Sequence, residues 1–318
     1  MPRAIRLAFR MQRFELGLLL GAVLLVCVAA LGIAWQTRVL REEQLACFRE
    51  APPAVEGSSG TPCPDQDEAL QLLEQGAAFA KAGVLLTPFV LGLFLGVPVV
   101  AREIEGRTAG IAWTLDPSRR RWLLTRGGPV IAAAVLASLV AGVAGEVVAR
   151  SAPWAEGVGL GFTDYGARGE LVAVRALAVA SVGLVMGALV PRQLPALLLA
   201  GAASLALFVA VTIVMDGWME AAAEPIAVGP MQDLSGKIYG SAMRDDATGL
   251  IVNEEEWFLA NPDPVYDEFG MPVGTTMIYY MVPGWRYGEF VLRESALLGV
   301  VAALAMVTSA AVVSVRRP

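Results

Sequence analysis

The chain has 318 residues, of which 56% are hydrophobic, with mean hydropathy +0.59, 30 acidic against 24 basic residues, and no histidine. A water-soluble globular chain lies nearer ~45–50% apolar, and the excess here is gathered into runs of about 20 residues, the length that crosses a ~30 Å hydrocarbon core. The missing histidine excludes a Ser-His-Asp triad, HExxH zinc chemistry and His-ligated haem within this chain.

The predicted elements begin with an amphipathic segment over residues 1–14. Arg3, Arg6, Arg10 and Arg13 recur every three or four residues and share one helical face. This reads as a helix lying in the inner-leaflet interface, its arginines toward anionic head groups. Six spans follow, near 15–36, 80–100, 129–149, 171–190, 195–215 and 295–315. The apolar core of the first exceeds that of a signal peptide, so it is expected to remain as a span.

Between the first two spans an outside loop carries Cys47 and Cys63. An oxidising exterior lets them pair as a disulfide. Cys27 lies within the first span and reads as a small packing residue. The helical pattern that resumes after Asp65 or Asp67 is expected to run into the second span.

Residues 101–126 form a short polar stretch with six arginines against three acids. The positive-inside rule places it, as part of a loop over 101–128, in the cytoplasm. A compact, charged, partly helical loop between spans reads as a docking surface for a cytoplasmic partner. Glu103, Glu105 and Arg107 supply charges for a docking cleft. Trp113 and Trp122 supply large rigid contact area. Arg119, Arg120 and Arg121 either pair with the partner or hold the loop at anionic lipid. Arginine enrichment in the segments on this side puts both termini inside the cell.

Further along, Gly157, Gly159 and Gly161 mark an interfacial loop, since no Lys-Ser or Lys-Thr completes a phosphate loop. Glu146 precedes Arg150 by one turn, and Arg175 lies in the first turn of the fourth span near Glu170, so these charges are expected to pair locally or to snorkel to the interface. The pairs Gly17/Gly21, Gly92/Gly96 and Gly183/Gly187 have the G-x-x-x-G spacing that lets helices approach closely, mostly within one subunit, with a dimer seam open for one pair.

Residues 216–294 hold 14 acids against four bases, with enough aromatic side chains for a small folded outer cap. Tyr279, Tyr280, Trp285, Tyr287 and Phe290 are expected at the outer interface, entering as a short helix before the last span. The fold is thus expected to be an all-α membrane protein of six transmembrane helices, with an N-terminal interfacial helix and an extracellular cap. Its domains are 1–215, 216–294 and 295–318.

Three stretches resemble the permease subunits of type-2 ABC exporters, particularly the actinobacterial six-span kind. The first is ARE-I-E-G-x-T over 101–108, with Ala112-Trp113-Thr114 and Ser-Arg-Arg-Arg-Trp over 118–122. The second is the Pro-Arg-Gln-Leu-Pro turn over 191–195. The third is the aromatic segment over 283–294. The resemblance implies that the loop after the second span docks on a separate ATP-binding subunit. It further implies two such ATPase chains binding ATP and Mg, a second permease chain (identical or related), and an N-terminal connecting helix. The chain itself carries no G-x-x-x-x-G-K-[ST]. It is therefore expected to have no catalytic site, cofactor or metal of its own, and to bind membrane lipids but no nucleic acid. The expected function is export of hydrophobic or amphipathic small molecules (drug, antibiotic or lipid) across the plasma membrane by alternating access. The alternative is a non-transporting membrane protein whose acidic outer region senses or binds a ligand.

Overall fold

The computed structural model describes residues 13–50, 67–110, 118–151, 161–227, 236–266 and 272–315. Arg3, Arg6, Arg10, Cys63 and Trp113 lie outside the described residues, while Arg13 opens the first helix. In chain order the helices are α1 (Arg13–Glu50), α2 (Asp67–Gly96), α3 (Pro98–Glu105), α4 (Arg119–Ser151), α5 (Leu171–Leu189), α6 (Gln193–Ala221), α7 (Glu254–Ala260) and α8 (Tyr287–Val315). Six of these, α1, α2, α4, α5, α6 and α8, are long and apolar enough to cross a membrane. Each expected span overlaps one of them; the second, 80–100, runs past the end of α2 into α3, and most helices extend well past the apolar window. The protein is a mostly α-helical membrane protein.

The chain divides into two compact units, with the division falling within α6 and α8. In the larger unit, α2, α4 and α5 pack against one another and α1 packs on α2 and α4. α5 is built from small and β-branched residues and is buried on nearly every face. Its G-x-x-x-G pair meets that of α2. A Cβ at Gly92 would lie 2.7 Å from the Val179 Cβ, and one at Gly96 would lie 2.6 Å from the Ala180 carbonyl oxygen. Likewise a Cβ at Gly183 would lie 3.2 Å from the Val97 nitrogen. Backbone proximity of this kind maximises dispersion contact, the main attraction left between helices once lipid removes the hydrophobic drive. The expectation of internal packing thus holds for these two pairs. Gly17 and Gly21 differ, with nothing within 4 Å of a Cβ added at either.

The remaining spans each bury one stripe. On α1 it is Leu19, Val23, Cys27, Ala30 and Ala34, the three-and-four spacing of a single helix face. On α8 it includes Glu294, Leu298, Ala302, Ser309 and Val313. Their other faces carry exposed leucines and valines, such as Leu18, Leu25, Val300 and Leu304, which suit a hydrocarbon surround.

Cys27 is buried and free, and Cys47 is disulfide-bonded. Glu146 accepts from Arg150 at 3.1 Å, as the i,i+4 spacing predicts. Arg175 does not turn to Glu170. Its guanidinium donates to Glu294 on α8, at 2.7 and 2.9 Å. A buried carboxylate across the helix packing offers a drier, stronger partner than an exposed one in the same turn.

The smaller unit contains a four-stranded antiparallel sheet. Its strands are β1 (Glu224–Ala227), β2 (Lys237–Asp245), β3 (Ile251–Asn253) and β4 (Thr275–Val282), in the order β1-β4-β2-β3. β4 reads TTMIYYMV, a β-branched and aromatic run that fits a pleated, half-buried surface. Ala242, Met243, Ile278, Met281 and Val282 are its buried residues, drawn from both faces of the sheet, and α7 packs on β2 and β3. Tyr279 and Tyr280 therefore belong to a strand rather than to a helix entering the membrane. A single 3₁₀ turn, Gly284–Arg286, is the short helix that precedes α8.

Candidate functional site

The polar stretch between α2 and α4 begins at a break in the helix. Gly96 and Val97 end α2, and Pro98, which has no N–H to donate, starts α3 in the position where a helix tolerates it. α3 buries Pro98, Val99, Val100, Ala101 and Glu103, its first turn on every face. It ends in a Schellman turn. The Thr108 N–H donates to the Glu103 carbonyl at 3.0 Å and the Arg107 N–H to the Ile104 carbonyl at 3.1 Å. The left-handed position of that turn, usually glycine, is Arg107 at φ 55°.

Three charged residues of this short helix reach three different spans. Arg102 donates to Glu15 of α1 at 3.2 Å. The Glu103 carboxylate accepts from the Arg126 guanidinium of α4 and from the Thr108 hydroxyl. The Glu105 carboxylate accepts from the Gln193 backbone N–H at 2.9 Å, satisfying one of the free donors at the start of α6. A fourth tie comes from the far side of the loop. Arg119 donates to the carbonyls of Val313 and Ser314, at 3.3 and 3.1 Å, capping the last turn of α8.

These contacts differ in weight. Arg102–Glu15 is largely exposed and contributes about 0–1 kcal/mol. Glu103–Arg126 is mostly buried, so deleting one partner strands a charge at a cost of about 3 kcal/mol. The Arg126 guanidinium also lies over the Trp122 ring, 5.5 Å from its centroid. Trp122 is itself buried, only 3% exposed. Ser118 begins α4 with its hydroxyl accepting from the Arg121 N–H at 3.1 Å, an N-cap.

The residues expected at a docking surface thus fall into two groups. Glu103 and Trp122 are buried within the unit, and Glu105 and Arg119 bond to α6 and α8. Arg107, Arg120 and Arg121 are exposed. Arg126, Arg102, Glu15 and Thr108 complete the arrangement and were not singled out by sequence. The available signal was opposite charge at the two ends of one short loop, Glu103 against Arg126.

A family model described as "ABC-2 membrane transporter related" matches residues 16–219. The chain belongs to the ABC-2 membrane transporter related family. The match covers the first five spans and the charged loop, so it includes every residue of the hub except Glu15 and the end of α8. ABC-2 membership identifies a multi-pass transmembrane permease component of an ABC transporter, a class that works with an ATP-binding subunit. No curated protein and no solved structure matches the chain.

Proposed function

We infer that this ABC-2 permease exports hydrophobic or amphipathic small molecules, driven by two copies of a separate ATPase subunit that bind ATP and Mg. A second permease chain completes the path, and the complex sits in the plasma membrane with both termini cytoplasmic. Arg107, Arg120, Arg121 and Trp113 form the face that meets the ATPase. Glu103, Glu105, Arg119 and Trp122 hold that face to the spans. Arg3, Arg6, Arg10 and Arg13 lie along the inner leaflet, and Cys47 pairs with Cys63 on the outer side.

The observation that carries the reading is the distribution of bonds from α3, one charged residue each to α1, α4 and α6. A displacement of the loop reaches three spans at once through such ties, and Arg119 carries it to α8. Alternating access needs that kind of concerted shift between two packings. The enrichment of arginine in the loop supports its cytoplasmic placement.

Two experiments test this. Cysteine placed at the exposed Ser118 is expected to react with a membrane-impermeant maleimide only after cells are opened. Reaction on intact cells contradicts the sidedness. Inverted vesicles holding the complex are expected to accumulate a lipophilic dye on adding ATP, and uptake that ignores ATP contradicts the transport reading.

A further inference from the structure

We propose that residues 164–170 form a removable plug at the end of the helix unit remote from the charged loop, an inference that rests on the transport reading above. The placement follows from helix lengths. Glu146 lies about 27 residues beyond Arg119 along α4, or ~40 Å at 1.5 Å per residue, and Arg175 and Glu294 are near the starts of α5 and α8.

The segment is irregular backbone, yet it is seated among spans. Ala167 and Arg168 are buried, and the Gly169 N–H donates to the carbonyl of Gly142, two to three turns before the end of α4, at 2.9 Å. Two glycines on one face of α4 make the seat. A Cβ at Gly142 would collide with the Gly169 carbonyl, and one at Gly145 with the Ala167 carbonyl. Non-helical backbone at such depth is tolerated only where protein or water satisfies its polar groups. Here the chain reverses through Gly166 at φ 88°, whose carbonyl accepts from Arg175 at 3.1 Å.

Charges from three spans touch the segment, and a carboxylate from a fourth backs one of them. Lys81 of α2 meets Asp164 at 2.7 Å, and Arg168 meets Glu146 of α4 at 3.6 Å. Arg175 of α5 joins the Gly166 carbonyl to Glu294 of α8, which is 1% exposed. The same guanidinium covers the Phe208 ring of α6 at 5.6 Å. A wedge held by apolar side chains would expose them on leaving. A wedge held by ion pairs exchanges those pairs for hydration, and the two nearly balance. Once water enters, the segment leaves its glycine seat at small net cost, so it suits a closure that opens and reseals.

The test uses the full chain in native membranes, with Ala167→Cys in a Cys27→Ser background that keeps the natural disulfide. An impermeant maleimide is the probe, and labelling is followed with the complex at rest and trapped with ATP and vanadate. The plug predicts labelling about tenfold faster in one of the two states, the signature of a local opening. It also predicts that Glu294→Gln speeds labelling at rest. Equal rates in both states, in a complex that does contain the ATPase, overturn the plug but not the permease reading. Failure to recover any ATPase overturns the permease reading, and the plug is then decided at rest. There, Glu294→Gln labelling no faster than its parent overturns it. Variants are compared only where size-exclusion profiles match the parent, and Arg168→Gln substitutes where Glu294→Gln does not fold.

Discussion

Glu103 and Arg126 stand at opposite ends of the charged loop, and the guanidinium of one donates directly to the carboxylate of the other. The pair closes the loop into a ring whose base is α3 and α4. Removing either partner leaves a mostly buried charge without its counter-ion, a loss of about 3 kcal/mol. Arg126→Ala and Glu103→Ala are each expected to lower the thermal unfolding midpoint in detergent. The double variant should lose clearly less than the sum of the two, because the stranded charge is gone. Additive losses in that cycle contradict the clamp.

Arg107 occupies the left-handed position of the turn that ends α3. Glycine reaches that conformation freely, whereas an L side chain pays roughly 1 kcal/mol. Arg107→Gly is therefore expected to raise the unfolding midpoint slightly while reducing capture of the ATPase subunit. A retained strain at an exposed cation points to use of the side chain. A variant that gains stability and loses no capture shows that Arg107 serves no docking role.

The two kinds of glycine pair predict opposite responses. Gly96→Ala drives a methyl against the Ala180 carbonyl and is expected to cost about 1–3 kcal/mol of stability. Gly21→Ala meets nothing within 4 Å in this chain and is expected to leave the subunit's stability unchanged. Gly21→Leu separates the two uses of an open face. Loss of the permease–permease association on native gels, with an unchanged subunit, marks α1 as a seam. An unchanged oligomer marks it as lipid-facing.

Acidification should loosen the β2–β3 turn. The Asp245 carboxylate accepts from the backbone N–H groups of Thr248 and Ala247, at 3.0 and 2.8 Å, which holds it below the usual carboxylate range. A group with a lowered folded-state value adds stability above its unfolded value, roughly pH 4, and loses it as pH falls through the folded one. Protection of the 245–250 turn against hydrogen exchange, corrected for the intrinsic pH dependence of amide exchange, should therefore fall in that acidic window in the natural chain. In Asp245→Asn the window should vanish. Corrected protection that does not change with pH in the natural chain contradicts the carboxylate's role.

The spans were legible because each needs about 20 apolar residues, and close internal helix packing was legible because glycines repeat at four, although which helices meet was not. The hub was only half legible. Sequence grouped Glu103, Glu105, Arg107, Arg119 and Trp122 as one docking surface. Burial of Glu103 and Trp122, and the bonds from Glu105 to Gln193 and from Arg119 to Ser314, depend on spans brought close by folding. Arg175 shows the same limit, since its partner Glu294 lies 119 positions away while Glu170 was the local option. The sheet was missed because β2 and β4 are short runs separated by about thirty residues. The aromatic residues of β4 resemble a membrane-interface belt as much as a strand.

The central claim is that this permease is driven through its charged loop by a separate ATPase, and co-purification tests it most directly. The tagged full chain, extracted from its native membrane in mild detergent, is expected to bring down a P-loop ATPase in equal number and to hydrolyse ATP. Arg120→Glu with Arg121→Glu, both exposed at the start of α4, should abolish that capture while leaving the chain's unfolding midpoint unchanged. Full capture by the charge-reversed chain, or a pure and stable chain that retains no ATPase, would contradict the account.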